Sequence, residues 1–269
     1  MERYVINLDR SPDRWEHMQK QLSTIGAQHT SLKIQRVAGV DGSKLTGNEI
    51  SSHQQSAFNL SKIACPRDLS KAEIGCYLSH KKCWEKLVNS SSDWGLILED
   101  DITIFPSASK YIESPSWIPE GIDLVQIFIP TNPWVALVDK KNFKLPKNAT
   151  LYHPLKPSPI GCLAYFISKK AAKEAIEHSQ KLSMPVDEFL FSPLSAFAKH
   201  HPVWRLNPAV ICHGEFQSTI QDKGCKDRNK SSKYNYIAKY NPIRFILRQK
   251  HNIKKLFALR QIFTIDSQK

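Results

Sequence analysis

One segment constrains the fold more than any other: an apolar run that ends in three consecutive acidic residues. The run Leu96–Leu98 is followed by Glu99-Asp100-Asp101, after which the chain becomes apolar again. A short uncharged run predicts a buried strand. Ligands bind at the carboxyl ends of strands in a sheet flanked by helices. Acids placed there suit a hard divalent cation held together with substrate phosphates, although acidic strand ends also occur as solvated turns.

Strand-like and helix-like segments alternate along the chain, which favours an α/β fold with a central mixed, mostly parallel sheet. Strands are predicted at residues 3–8, 32–38, 94–105, 123–129 and 161–168, and residues 203–213 are predicted to form a strand, a turn and a second strand. Helices are predicted at residues 11–26, 70–88, 168–182 and 185–199, the second starting with a capping box formed by Ser70 and Glu73. Residues 43–68 and 130–160 are expected to be irregular.

The net charge of +13 is concentrated near the C-terminus. Residues 223–269 contain 13 Lys and Arg but 2 Asp and Glu, whereas residues 1–222 contain 25 and 23. We therefore divide the chain into a near-neutral domain, 1–222, and a basic tail, 223–269. The residues at 243–263 have the spacing of a basic amphipathic helix, which either lies on an anionic membrane or packs on the domain with its basic face in solvent.

Composition limits the redox environment of the protein and the kinds of partner that it would bind. The six cysteines form no CxxC pair and lie in apolar segments, which favours buried free thiols and a reducing cytoplasm. No 18-residue apolar run predicts a spanning helix, and no signal-peptide region is recognised at the N-terminus. The near-neutral charge of residues 1–222 argues against a domain that binds nucleic acid over its whole surface. In the alternative in which the body is an inactive scaffold, the basic tail is the segment that would bind nucleic acid.

Five blocks of sequence occur in a fixed order: YVINLDRSPDRW at 4–15, AEIGCYLSHKKCW at 72–84, LILEDDITIF at 96–105, GCLAYFISKKAA at 161–172 and PVDEF at 185–189. Together they resemble glycosyltransferase family 25. That family includes bacterial lipopolysaccharide and lipooligosaccharide sugar transferases and, more distantly, collagen galactosyltransferases. The resemblance covers roughly residues 3–222 and leaves the basic tail outside.

The resemblance implies a single nucleotide-sugar transferase domain of the GT-A-like, Rossmann-like type. It also implies a UDP-sugar donor, a divalent metal (usually Mn²⁺, with Mg²⁺ as the alternative) and inversion at the anomeric carbon. We expect transfer of a hexose, galactose from UDP-galactose in a β linkage, to a lipid-linked oligosaccharide of the lipopolysaccharide or lipooligosaccharide outer core. UDP-glucose is the alternative donor, and a non-catalytic transferase-like scaffold is the alternative function. The expected location is the cytoplasmic face of the inner membrane.

The acidic motif supplies the predicted metal site. By alternation along a strand, Glu99 and Asp101 point the same way and Asp100 points the other. The resemblance makes Asp101 the first metal ligand. Glu99 departs from a strict Asp-x-Asp motif and is assigned to the metal, its bound water or the donor ribose. A neutral imidazole from His213, at a predicted strand end, is the third candidate ligand, although a lone histidine is commonly only hydrogen-bonded.

The remaining candidates bind the donor or move a proton. Those assigned to the donor are Asn7, Leu8, Asp9, Arg10, Arg14, Glu73, Ser79, His80, Glu99, Asp100, Gly161, Gln217, Ser218 and Asp222. An inverting transfer needs a carboxylate near the acceptor hydroxyl, and the resemblance selects Asp187, with Glu188 beside it, for that role. The competing interpretation of the pair is a helix N-terminus whose dipole favours acidic residues.

Overall fold

A mixed sheet of nine strands forms the centre of the computed structural model, which describes residues 1–26, 33–53, 68–129, 133–146, 148–155, 161–192, 195–214 and 258–266. The strands are β1 Glu2–Asn7, β2 Gln35–Ala38, β3 Trp94–Glu99, β4 Ile102–Ile104, β5 Leu124–Gln126, β6 Phe128–Ile129, β7 Trp134–Lys144, β8 Thr150–Pro154, β9 Ala164–Ser168, β10 Trp204–Asn207, β11 Ile211–His213 and β12 Leu259–Phe263. The helices are α1 Pro12–Gly26, α2 Gly47–His53, α3 Lys71–Asn89, α4 Ser109–Ile112, α5 Lys169–His178, α6 Val186–Phe191 and α7 Ala196–His200.

The strand order is β12-β7-β8-β10-β5-β9-β3-β1-β2, and β4, β11 and β6 form a smaller sheet. The predicted α/β fold with a central mixed sheet is confirmed. Antiparallel pairings nevertheless outnumber parallel ones, five to three, among the described strands of the large sheet. One reason is that residues predicted to be irregular, 130–160, contain the antiparallel pair β7 and β8, so that prediction is wrong. The prediction depended on the prolines of this segment, although β7 itself begins with the apolar run Trp134–Val138.

Strand alternation divides the apolar side chains between the two faces of the sheet. Leu96 and Leu98 pack with Met18 of α1 on one face. Ile97 packs on the other face, where α3 and α6 contribute the large side chains and α5 contributes three buried alanines. The acidic motif continues β3, so the same alternation separates Glu99 from Asp100.

Two predicted helix starts are confirmed in atomic detail. Ser70 Oγ accepts a hydrogen bond from Glu73 N, and Glu73 Oε2 accepts one from Ser70 N, which completes the capping box of α3. The Ser168 side chain caps α5 by accepting from Ala171 N. Gly75 lets α3 approach the loop after β2, because a Cβ at that position would lie 2.6 Å from Val40 O. These features fix the position of α3 over the sheet.

The described end of the tail is a strand rather than a helix. Leu259–Phe263 pairs antiparallel with β7, and Phe263 is buried against Trp134, with ring centroids 4.8 Å apart. The helix predicted over 243–263 is therefore wrong for its last five residues, where pairing with an exposed sheet edge satisfies the backbone. Residues 243–257 and the predicted domain boundary after residue 222 lie outside the described residues.

Within the described part of the chain, no helix combines the length and the hydropathy needed to cross a bilayer.

Candidate functional site

The predicted site residues meet at one edge of the large sheet. β1 and β3 are parallel, with Ile6 in register with Glu99, so Asn7 and the acidic motif leave the sheet side by side. β9 runs antiparallel to β3, so Gly161 and Cys162 precede β9 at the same edge, where Glu99 N donates to Leu163 O at 2.9 Å. This edge is the carboxyl end of β1 and β3, where an α/β sheet binds its ligands.

On the α1 side of this edge, Asp100 is buried and fully engaged in the fold. Its carboxylate accepts hydrogen bonds from Asn7 Nδ2 at 2.7 Å and Arg14 Nη1 at 3.1 Å. Asn7 Nδ2 also donates to Ser11 O at 3.0 Å, and Asn7 Oδ1 accepts from Arg36 Nε at 2.8 Å. Burial raises the pKa of Asp100, while Asn7 and Arg14 act against that rise. The Asn7 amide and the Asp100 carboxylate therefore join β1, α1 and β3.

On the α3 side, Asp101 has the opposite environment. Its Oδ1 is buried and has no hydrogen-bond partner among the described residues. Burial, followed by the charges of Glu99 and Asp100, raises its pKa to about 7. A buried carboxylate oxygen without a partner is costly unless a cation or a donor occupies the position beside it. The side chains of Asp101 and Glu99 therefore fit the divalent ion that the motif predicts.

A chain of hydrogen bonds orients Glu99. Trp84 Nε1, which can only donate, donates to the Tyr165 hydroxyl at 2.9 Å. That hydroxyl lies 3.0 Å from His80 Nδ1, and burial raises the pKa of Tyr165, so the hydroxyl keeps its proton. On the other side of the ring, His80 Nε2 lies 3.2 Å from Glu99 Oε1. Because a carboxylate oxygen accepts, the tautomer protonated at Nε2 is the one that completes the chain, with Nδ1 accepting from Tyr165. The Glu99 side chain remains 20% exposed, so it is held from behind and still accessible.

Asp187 joins this anionic group from the first turn of α6. Burial, aided by the charges of Glu99 and Glu73, raises its pKa to about 6, while the backbone N–H of Glu188 donates to its Oδ1 at 2.9 Å and lowers it. The Asp187 charge also helps to raise the pKa values of Cys76 and Cys162. The structure thus brings Asp187 into the same electrostatic environment as Glu99. Glu188 is half-buried on the same turn, and its carbonyl accepts from Ser192 N at 3.0 Å.

Several donor-binding candidates serve the fold at the places where they are found. Glu73 belongs to the α3 capping box. Ser79 Oγ accepts from Val40 N at 2.8 Å and donates to Gly75 O at 2.7 Å. Arg14 holds Asp100. These contacts explain the residues without a ligand, so their predicted donor contacts remain predictions.

The turn after β1 is more accessible. Leu8 O accepts from Ser11 N at 2.9 Å, and Asp9, 72% exposed, pairs with Arg36 at 2.7 Å. Arg10 is half-exposed and pairs with Asp41 at 2.9 Å. Of the predicted phosphate-binding arginines, Arg10 is therefore the one that solvent and a ligand can reach.

Gly161 and His213 border the site from two other segments. Gly161 has φ +154°, a conformation that favours glycine, and a Cβ there would lie 3.2 Å from Phe128 Cζ. His213 is exposed, stands opposite Ile102 in the small sheet and precedes Gly214, whose N–H donates to Asp101 O at 2.8 Å. The backbone of this segment thus adjoins Asp101, and its role in metal binding stays a prediction. Gln217, Ser218 and Asp222 lie outside the described residues.

The structure adds residues that the sequence analysis missed. Tyr165 lies within the GCLAYFIS block, but its apolar setting indicated only a core residue. Cys76 lies one helical turn before His80, a spacing that would have placed the two side chains on one face of α3. Gln126 ends β5 with a buried Oε1 that has no partner among the described residues, while its Nε2 donates to Gly161 O at 3.0 Å.

Two relatives are similar in sequence to part of this chain. The lipooligosaccharide biosynthesis protein lex-1 of Haemophilus influenzae is 32% identical over 186 residues, covering 65% of this chain and 61% of that protein. Human procollagen galactosyltransferase 2 is 29% identical over 70% of this chain and 29% of that protein. The chain thus matches about three fifths of the first relative and a smaller part of the second.

A solved structure, that of a glycosyltransferase involved in the glycosylation of the major capsid of PBCV-1, aligns over 81% of this chain and 93% of that chain. Its sequence identity to this chain is 10% and its TM-score is 0.41. The family model for glycosyltransferase family 25 (LPS biosynthesis protein) matches residues 1–190, which include the acidic motif, α3 and Asp187. The chain belongs to glycosyltransferase family 25.

Proposed function

We propose that this protein is an inverting, metal-dependent sugar transferase that moves galactose from UDP-galactose, in a β linkage, to a terminal sugar of a lipopolysaccharide or lipooligosaccharide outer core. The names of two relatives support the pathway and the sugar: one is a lipooligosaccharide biosynthesis protein and another a procollagen galactosyltransferase. UDP-glucose remains the alternative donor, because epimers are separated by one or two pocket side chains.

One observation supports the metal-dependent chemistry above all others: Asp101 Oδ1 is buried without a partner among the described residues, beside Glu99 at the carboxyl edge of the sheet. Asp101 and Glu99 would hold the ion, with His213 as a further candidate. A divalent cation there would act as a Lewis acid that neutralises the negative charge of the departing diphosphate. Mn²⁺ or Mg²⁺ suits these oxygen ligands.

Asp187 is the proposed general base. In a single inverting displacement, the acceptor hydroxyl oxygen bonds to the anomeric carbon as the bond from that carbon to the UDP oxygen breaks. The hydroxyl proton passes to a carboxylate, and UDP leaves with the bonding electrons. A pKa of about 6 keeps Asp187 mostly ionised at neutral pH yet more basic than an ordinary aspartate, which favours proton acceptance.

The protein's own residues hold the donor in this proposal. Arg10, half-exposed at the turn after β1, would bind the diphosphate, since a guanidinium matches phosphate oxygens in geometry and charge. The backbone of Leu8 and Asp9 would face the nucleotide base. Glu99, held by His80, would contact the ion or the donor ribose.

We further propose that the enzyme works at the cytoplasmic face of the inner membrane, where a lipid-linked acceptor would be exposed. The support is the excess of Lys and Arg in residues 223–269. Because Leu259–Phe263 belongs to the large sheet, deleting the tail would expose β7. Replacing Arg248, Lys250, Lys254 and Lys255 by Gln is the cleaner test, and unchanged binding to anionic vesicles would contradict membrane attachment.

The enzymatic proposal is tested by a donor screen with purified full-length protein. UDP-galactose, UDP-glucose and UDP-N-acetylglucosamine are each combined with lactose- or glucose-terminated acceptors, with Mn²⁺ or with a chelator. UDP release and a new glycoside that require metal, acceptor and Asp101 would support the proposal. Glu16→Gln is the matched control, because that carboxylate is exposed and pairs only with Lys20 on the surface of α1. Absence of turnover with every donor would contradict the proposal.

A further inference from the structure

Three side chains with different metal-binding atoms converge beside the acidic motif. Cys76 and His80 are four residues apart on α3 and therefore share one face of the helix. The Cys76 Sγ, a His80 ring nitrogen and a Glu99 carboxylate oxygen all lie within 4.8 Å of one another. Ligand atoms around a tetrahedral zinc ion are separated by roughly 3.3–3.8 Å, given bonds of about 2.0–2.3 Å. Small side-chain adjustments would bring the three atoms onto one ion.

The electrostatic setting favours a cation at this point. Burial raises the pKa of the Cys76 thiol, and the charges of Glu99, Asp187, Asp101 and Glu73 raise it further. The nearby guanidinium of Arg14 is held on the other side of the edge by Asp100. Without a cation, the thiol keeps its proton and the carboxylates repel one another. A divalent ion would offset both costs at once.

The ligand chemistry distinguishes this cluster from the pair Asp101 and Glu99. Carboxylates alone suit Mg²⁺ and Mn²⁺, whereas a thiolate and an imidazole select softer ions, of which Zn²⁺ is the common biological one. Three protein ligands with a remaining open position are the usual arrangement of a zinc ion that still exchanges water or a small ligand.

We propose that Cys76, His80 and Glu99 form a second cation site, selective for Zn²⁺ and similar thiophilic ions. On binding, the Cys76 proton passes to solvent and the sulfur bonds the ion. The His80 proton moves from Nε2 to Nδ1, so that Nε2 bonds the ion and Nδ1–H donates to the Tyr165 oxygen, 3.0 Å away. That second hydrogen bond would fix the ring, as such bonds do for most metal-bound histidines.

Glu99 belongs to both cation sites, so binding of Zn²⁺ at the second site would affect the transfer reaction. A Zn²⁺ ion on Cys76, His80 and Glu99 draws Glu99 away from the ion held with Asp101. Zn²⁺ is therefore an inhibitor that competes with the activating metal. This part of the inference rests on the proposed function, whereas binding of Zn²⁺ does not.

Binding is tested with Co²⁺ alone as a spectroscopic substitute for Zn²⁺ on the full-length, metal-free protein. A thiolate ligand produces a sulfur-to-cobalt charge-transfer band, which we expect in the wild type and which added Zn²⁺ should abolish. Cys76→Ala should lose the band, and Cys76→Ser, which keeps the side-chain volume, should lose it as well. Cys83→Ala is the matched control, because Cys83 is buried on the same helix and faces Tyr4 rather than the acids. A band that persists in folded Cys76 variants, or no band in the wild type, would overturn the site.

Inhibition is measured separately, with transfer activity recorded at fixed Mn²⁺ and increasing Zn²⁺. We expect Zn²⁺ to inhibit the wild type and Cys83→Ala, with the inhibition lost in Cys76→Ser. Equal inhibition of all three proteins would overturn the regulatory part. A wild type that shows the charge-transfer band but transfers no sugar would refute the proposed function and leave the zinc site standing.

Discussion

The two sides of the β3 end treat carboxylates in opposite ways. On the α1 side, Asp100 accepts from Asn7 and Arg14, so its charge is neutralised inside the fold. On the α3 side, Glu99, Asp101 and Asp187 share an environment in which the pKa values of both aspartates are raised. Within one motif, Asp100 thus stabilises the fold, whereas its neighbours Glu99 and Asp101 face the proposed chemistry. Both sides carry carboxylates, so the presence of acidic residues does not distinguish them. What distinguishes the functional side is that, among the described residues, no arginine or lysine neutralises its carboxylates as Arg14 neutralises Asp100.

The largest expected effect separates Asp101 from Asp100. Asp101→Asn should reduce metal-dependent transfer by about two orders of magnitude or more, because the ion supplies several kcal/mol of charge stabilisation. Its free energy of unfolding should stay the same or rise, since a repelled carboxylate is removed. Asp100→Asn should instead destabilise the protein by about 3 kcal/mol, because Arg14 is left buried without its carboxylate.

Urea unfolding and initial rates on both variants provide the measurement. If Asp100→Asn unfolds no more easily than wild type while Asp101→Asn does, the assignment of the two sides is reversed.

The next effect tests whether Glu99 depends on the residues behind it. Tyr165→Phe removes the hydroxyl between Trp84 and His80, and should weaken Mn²⁺ binding by about 10–100-fold, the usual cost of losing a contact that orients a metal ligand. Tyr77→Phe is the control, because Tyr77 is a buried tyrosine of α3 whose hydroxyl lies 3.0 Å from Ser179 Oγ instead of contacting His80. Mn²⁺ affinity measured by electron paramagnetic resonance should fall in the first variant and not in the second; equal affinities would show that Tyr165 is only a core residue.

A smaller effect concerns the pH dependence of metal stabilisation. The folded-state pKa values of Asp101 and Asp187, about 7 and about 6, lie above the ordinary value of 3.8. The folded state therefore binds more protons than the unfolded state, and the metal-free protein should lose stability as pH rises from about 4 to about 7.

Mn²⁺ at about 100 times its dissociation constant should add about 2.7 kcal/mol once Asp101 is ionised, so its thermal shift should be larger at pH 8 than at pH 5.5. A shift that is equal at the two pH values, or that survives in Asp101→Asn, would place the ion elsewhere.

The smallest effect tests a second neutralised cluster, remote from the proposed chemistry. His201 Nδ1 donates to Asp123 at 3.0 Å and Nε2 donates to Glu174 at 2.8 Å, so the ring must carry both protons. Burial acts to lower the pKa of His201, but the two carboxylates outweigh it and raise the pKa above 6.5.

Because the folded-state pKa is raised, this stabilisation is present below pH 6.5 and lost as pH rises through the folded value. His201→Gln should cost about 2 kcal/mol at pH 6 and less at pH 9, whereas His178→Gln, on an exposed part of α5, should be neutral. A loss that does not change with pH would show that packing of the ring, not its charge, provides the stability.

The same comparison explains what the sequence was able to predict. Alternation along β3 separated Glu99 from Asp100, and the capping box of α3 was visible in Ser70 and Glu73, because both depend on local spacing. Asp100 is the carboxylate that is neutralised, because Arg14, 86 positions away in the chain, contacts it. No local sequence pattern predicts a contact between residues so far apart. The role of Tyr165 was hidden for the same reason: its neighbours in sequence are apolar, and its partners lie on α3.

The strand at the C-terminus was missed for a related reason. The basic and apolar residues of 243–263 fit a helix when the segment is considered alone, and nothing in it reveals that β7 offers a free edge. Tertiary pairing decided the conformation of Leu259–Phe263, as it often does for short segments of weak local preference. Contacts between residues far apart in the sequence are therefore the features that the structure, and not the sequence, identifies.

The position of β12 changes how the basic segment before it must be regarded. Gly214 is attached to Asp101 at one end, and Leu259–Phe263 is anchored in the large sheet at the other. The described residues on either side of 215–257 are thus both held in the fold, so the segment between them is attached to the protein at its two ends. If the proposed membrane attachment through the basic residues is correct, the surface is bound by a segment whose first attachment to the fold, Gly214, contacts Asp101 directly.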